Sequence, residues 1–214
     1  MLFSIIAHEI AHGYAALKQG DTTALSLGRL TWNPIKHIDP IMTIVLPLML
    51  AVAHQPVIGG AKPVPVNPGN YRNLRRGDII VSLAGVFTNL LIAIGAAILV
   101  PLLGLLGGAV DALATSLSVL QAMMILAVNL NLMLIAFNLI PVPPLDGSHV
   151  MKYLLPRWMA VHYQRIGFLG IIVLIVMVRF GFLDWWFKPA EVTFDFMLQG
   201  VSRWILPQSL AWLR

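Results

Sequence analysis

Two apolar runs, residues 79–107 and 112–140, hold no charged side chain at all. As α-helix each rises about 43 Å, more than the ~30 Å hydrocarbon core of a bilayer. A soluble domain carries about 25% charged residues. This chain has 11%, against 58% apolar residues and a mean hydropathy of +0.83. A soluble globular fold is thereby excluded, and so is disorder, which needs high charge and low hydrophobicity. The expected fold is an all-α integral membrane protein. It is a helical bundle with a three-helix core plus a small membrane-associated β-hairpin and re-entrant region. The 214 residues have room for four or five spans.

The remaining segments divide the chain further. Residues 1–17 are apolar but hold His8, Glu9 and His12. With ionisable groups in the stretch and no basic residues ahead of it, this is not a signal peptide. Alternation over residues 25–32 predicts a short hairpin. Residues 41–53 reach only about 20 Å as helix, short for a span, and carry Pro47. They are expected to re-enter or lie at the interface. Residues 166–182 form the cleanest span. From Val192 on, Phe194, Met197, Leu198, Val201, Trp204 and Ile205 recur at helical spacing, as in a helix lying in the interface. The expected division is a membrane-embedded core over 1–155 and a C-terminal transmembrane and interfacial region over 156–214.

Charge sets the orientation. Residues 18–78 hold Lys18, Arg29, Lys36, Lys62, Arg72, Arg75 and Arg76, and residues 146–165 hold Lys152, Arg157 and Arg165. The connection near Asp111 holds no Lys or Arg. Basic loops stay in the cytosol, so both basic regions belong there and Asp111 lies outside. The net charge of +5 is accounted for in this way. No basic–aromatic interleaving suggests nucleic acid. With no cysteine in the chain, disulfide frameworks, cysteine nucleophiles and thiolate metal sites are excluded.

The chemistry is concentrated in His8-Glu9-Ile10-Ala11-His12, an H-E-x-x-H pattern. Helical positions i and i+4 share a face, so both imidazoles can meet one zinc ion. Glu9 sits beside them, placed to act as general base without being a ligand. Ionisable residues in an apolar segment are costly and point to function. A catalytic zinc needs a third protein ligand. His37, His54, His149, His162 and a few acids are candidates. Asp146, at the end of the second long run, stands out as a hard oxygen donor, although capping a post-proline turn would also explain it. Iron or cobalt would suit the same donors. His149 could support Asp146 or simply be solvated. Between Pro63 and Pro65 the Val64 amide remains a donor, as does that of Val66. An edge strand of this kind could pair with an extended substrate, although a plain proline-rich loop reads the same way.

Three stretches together resemble one family. They are His8-Glu9-x-x-His12, Gly85-Val-Phe-Thr-Asn89 and Asn138-x-x-Pro141-x-x-x-Leu145-Asp146-Gly147. They look like the site-2 proteases, intramembrane zinc metalloproteases. Gly60-Ala-Lys-Pro-Val-Pro-Val-Asn-Pro68 and His37-Ile-Asp-Pro40 resemble the compact bacterial branch without a PDZ domain. Val86 stands where that family usually has proline. The resemblance covers residues 1–155. It implies one zinc ion per chain, held by His8, His12 and Asp146, and a water-activating Glu9. It also implies that Asn89 and Asn138 hydrogen-bond the substrate or the developing oxyanion; without it, both would read equally well as interhelical contacts. The implied substrate is a transmembrane segment of another protein. The implied location is the bacterial cytoplasmic membrane, with the site open to the cytosol. The rival reading is a metal-binding membrane protein without proteolysis, a transporter or a regulatory scaffold.

Overall fold

A computed structural model describes residues 2–52, 60–167 and 169–212. Helices dominate: α1 (Leu2–Gln19), α2 (Thr23–Ser26), α3 (Leu46–Val52), α4 (Leu74–Ala109), α5 (Asp111–Asn138), α6 (Asp146–Met151), α7 (Arg157–Arg165), α8 (Leu169–Arg179), α9 (Phe182–Val201) and α10 (Pro207–Ala211). Both uncharged runs are helical, and α4 and α5 are long and apolar enough to cross a membrane. On α4, Phe87, Leu91, Ile94, Ile98, Leu102 and Leu105 are all exposed. Their spacing of three and four residues makes one apolar face. In water such a face would be a large liability, and lipid removes it.

The expected β-hairpin is absent: among the described residues there is no strand. Residues 25–32 begin inside α2 instead, and both ends of that helix are fixed locally. Before it, the Asp21 carboxylate accepts hydrogen bonds from the Thr23 N–H and hydroxyl. After it, Gly28 adopts φ 61° and donates to Leu25 O, while the Arg29 N–H reaches back to Ala24 O. That pair of bonds is a Schellman ending, which needs a residue at positive φ and so favours glycine. Alternation over eight residues is a weaker signal than a cap and a C-terminal glycine acting together.

At residues 166–182 the helix is shorter than the expected span. There α8 covers only Leu169–Arg179, which rises about 16 Å, too little to cross a bilayer alone. Gly167 at φ 43° and Gly181 at φ 71° flank it. The tail helix also starts earlier than expected, at Phe182, and carries Pro189 inside it. Residues 40–45 form a π-helix leading into α3. His54 and the end of the 41–53 segment lie outside the described residues.

The chain forms two compact units. The first comprises Met1–Thr88 and His149–Ala160, the second Asn89–Ser148 and Val161–Arg214. In the first, Ala16, Tyr71 and Val81 make a small buried cluster joined by Ala15 and Val66. In the second, Ile140, Leu174 and Leu183 pack with Phe137, Met177 and Trp186 among others. The fully buried Gln121 ties the second unit together. Its amide donates to Val100 O and Trp204 O, and its oxygen accepts from Leu206 N–H and the Ser209 hydroxyl. All four hydrogen-bonding capacities of this side chain are used, as a buried amide in an apolar bundle requires.

Candidate metal centre

Helix α1 carries His8, Glu9 and His12 within about one turn. The His8 and His12 Nε2 atoms approach to 2.9 Å, with the rings edge to face at 4.6 Å between centroids. On its other side, His12 Nδ1–H donates to Val81 O at 2.7 Å. That bond fixes the tautomer: the proton is on Nδ1 and the lone pair on Nε2, the state a metal ligand needs. Val81 comes from α4, and its backbone carbonyl leaves no trace in a residue pattern.

Gly85, one turn further along α4, faces the same two rings. A Cβ added there would lie 2.5 Å from His8 Cε1 and 2.6 Å from both His12 Nε2 and His8 Nδ1. Only glycine lets α4 come this close. The donor set fits zinc. Two Zn–N bonds in a tetrahedron put their nitrogens about 3.3 Å apart, so the pair has only a few tenths of an ångström to open.

Glu9 is half-buried, and its Oε2 accepts from the Val64 N–H at 2.8 Å. The first unit thus brings together four of the residues singled out in the sequence: His8, His12, Glu9 and Val64. Val66 packs against the Ala16–Tyr71–Val81 cluster.

The stretch carrying Val64 is held at both ends. Arg29 Nη2 donates to Lys62 O at 2.9 Å and to Pro63 O at 3.3 Å. The Asn67 N–H donates to Asp21 Oδ2 at 2.7 Å, and Asn70 Nδ2 to Asp21 Oδ1 at 2.8 Å. Burial pushes the Asp21 carboxyl up, but the hydrogen bonds from Asn67, Thr23 and Asn70 outweigh it and hold it below the usual aspartate value. Neither Asp21 nor Arg29 stood out in the sequence. An Asp between Gly20 and two threonines is a turn-capping pattern that could have marked the first.

His149 donates from Nδ1 to Asp78 Oδ1 at 3.1 Å. Asp78 is buried, and its Oδ2 is paired with Lys152 and accepts from the Tyr153 hydroxyl at 3.0 Å. His37 is buried with Nε2–H on Thr31 O, a structural role, and His162 is exposed on α7.

In the second unit, Asp146 opens α6. Asn89 is fully buried on α4, one turn beyond Gly85. Asn138 ends α5 and donates from Nδ2 to Leu134 O at 2.9 Å.

A helix pairing two imidazoles, one of them fixed in its tautomer, with a neighbouring carboxylate, in a chain with membrane-length apolar helices, defines an intramembrane metallohydrolase. The chain belongs to Peptidase family M50, the site-2 protease family, which matches over residues 1–178. It is 37% identical over 188 residues to "Putative zinc metalloprotease YwhC" of Bacillus subtilis, covering 86% of this chain and 82% of that protein. It is 31% identical over 210 residues to "Putative zinc metalloprotease Rip2" of Mycolicibacterium smegmatis, covering 96% and 74%. No solved structure matches.

Proposed function

We infer that this chain is an intramembrane zinc metalloprotease in which Glu9 moves the proton and His8, His12 and Asp146 hold one zinc ion. The observation that carries this reading is the convergence of the two imidazole nitrogens against Gly85, with His12 held in the ligand tautomer by Val81 O. Asp146 supplies the oxygen donor. Three residues after it on α6 is His149, which donates to Asp78 of α4.

Zinc in this site supplies Lewis acidity, polarising a peptide carbonyl and acidifying a water. Glu9 takes the proton of the attacking water and returns it to the leaving amine. Asn89 and Asn138 donate to the substrate backbone or to the developing oxyanion. In a water-poor site such amide donors act strongly. An amide nitrogen carries two N–H groups, so the bond to Leu134 O uses one of those on Asn138.

The substrates are membrane proteins. The scissile region is a transmembrane segment that unwinds, because helical peptide bonds are internally hydrogen-bonded. Once extended, it can add along residues 62–67, where Val66 supplies a backbone donor; the Val64 donor is directed at Glu9. The enzyme sits in the bacterial cytoplasmic membrane with the site facing the cytosol, as the basic segments favour.

The ligand set is tested by zinc affinity. His8→Ala, His12→Ala and Asp146→Asn should each weaken binding strongly, and His162→Ala should not. Wild-type affinity in Asp146→Asn would remove Asp146 from the set.

A further inference from the structure

We propose that the Val64 N–H holds the Glu9 carboxylate in its working orientation, and that Arg29 and Asp21 are positioning residues that keep Val64 there. The proposal rests on Glu9 being the proton-transfer group, as inferred above.

A glutamate side chain has three rotatable bonds and loses orientation unless something fixes it. A general base has to stay within hydrogen-bond reach of the water it deprotonates. The bond from Val64 N–H to Glu9 Oε2 supplies that restraint. It occupies one carboxylate oxygen and assigns the proton to the other, Oε1.

The surrounding sequence serves this one donor. Pro63 and Pro65 have no N–H, so Val64 carries the only backbone donor of the three residues, and the two rings stiffen the chain on either side. Arg29 grips the carbonyls just before Val64, and Asp21 grips the Asn67 amide after it. Gly13, one helical turn after Glu9, leaves the notch that the Val64 side chain enters. A Cβ there would lie 2.9 Å from Val64 Cγ1 and would also collide with Leu30. Backbone donor, proline spacing, two clamps and a notch thus converge on a single hydrogen bond.

The direct test removes the N–H; the weaker Pro63 carbonyl that comes with it is controlled for by Arg29→Ala, which loses the contact to that carbonyl. Val64 is replaced by 2-hydroxyisovaleric acid, which turns the amide into an ester and keeps the side chain. The full chain is assayed in detergent on quenched fluorogenic peptides rich in Leu, Val and Ala, with zinc measured alongside. Gly13→Ala and Arg29→Ala serve as independent variants.

The expected result is unchanged zinc, KM within about twofold, and kcat lowered on the order of 10- to 100-fold, the scale of a misplaced catalytic group. On a Glu9→Gln background the ester should cost nothing further. A raised KM at constant kcat would overturn the proposal by making Val64 a substrate donor. Faster cleavage would overturn it by making the contact inhibitory. Unchanged kinetics, or loss of zinc, would also overturn it. If Glu9→Gln alone cleaves like wild type, the underlying assignment of Glu9 fails instead, and the two failures are distinguishable.

Discussion

At the scale of single residues, Gly85 leaves no room for a side chain. Its missing Cβ is the space in which the two imidazoles meet. Gly85→Ala should weaken zinc binding about 10- to 100-fold, as a disturbance just outside the ligands does. Competition with a chromogenic chelator measures this, and wild-type affinity in the variant would show that α4 does not brace the rings. The meeting of the two imidazoles was legible because i, i+4 spacing is a local property of one helix. The Val64–Glu9 bond was not. It joins residues 55 positions apart through a backbone N–H, and no residue type announces such a contact. Val81 O was hidden for the same reason.

At the scale of elements, the long helices were readable because an uncharged run longer than a bilayer has few alternatives. Short elements were not, since their ends are decided by one or two residues. The Asp21 bonds and Gly28 turn the expected hairpin into a one-turn helix, and glycines at positive φ bound α8. The segment of residues 62–67 depends on Asp21 in a way that gives a pH signature. The folded pKa of Asp21 is lowered, so its contribution to stability is full above its unfolded value of about 3.9. That contribution is lost as pH falls through the folded value. Thermal unfolding in detergent should therefore show wild type losing its advantage over Asp21→Asn on acidification below about pH 4. An advantage that stays constant or grows below that pH would contradict the arrangement of donors around Asp21.

For the whole molecule, the proposed orientation rests on where the basic residues fall. Because the chain has no cysteine, single cysteines can report it cleanly. Arg76→Cys should react with a membrane-impermeant maleimide only from the cytosolic side, and Asp111→Cys only from the opposite side. The reverse pattern would place the metal centre facing outward and undo the topology. Proteolysis through Glu9 is tested by comparing wild type with Glu9→Gln. Both are purified in detergent, assayed for zinc, and given the same panel of tagged transmembrane substrates. Both proteins should hold equal zinc, and wild type alone should cleave. Cleavage by Glu9→Gln at the wild-type rate, or a wild-type protein that binds no zinc, would contradict this mechanism.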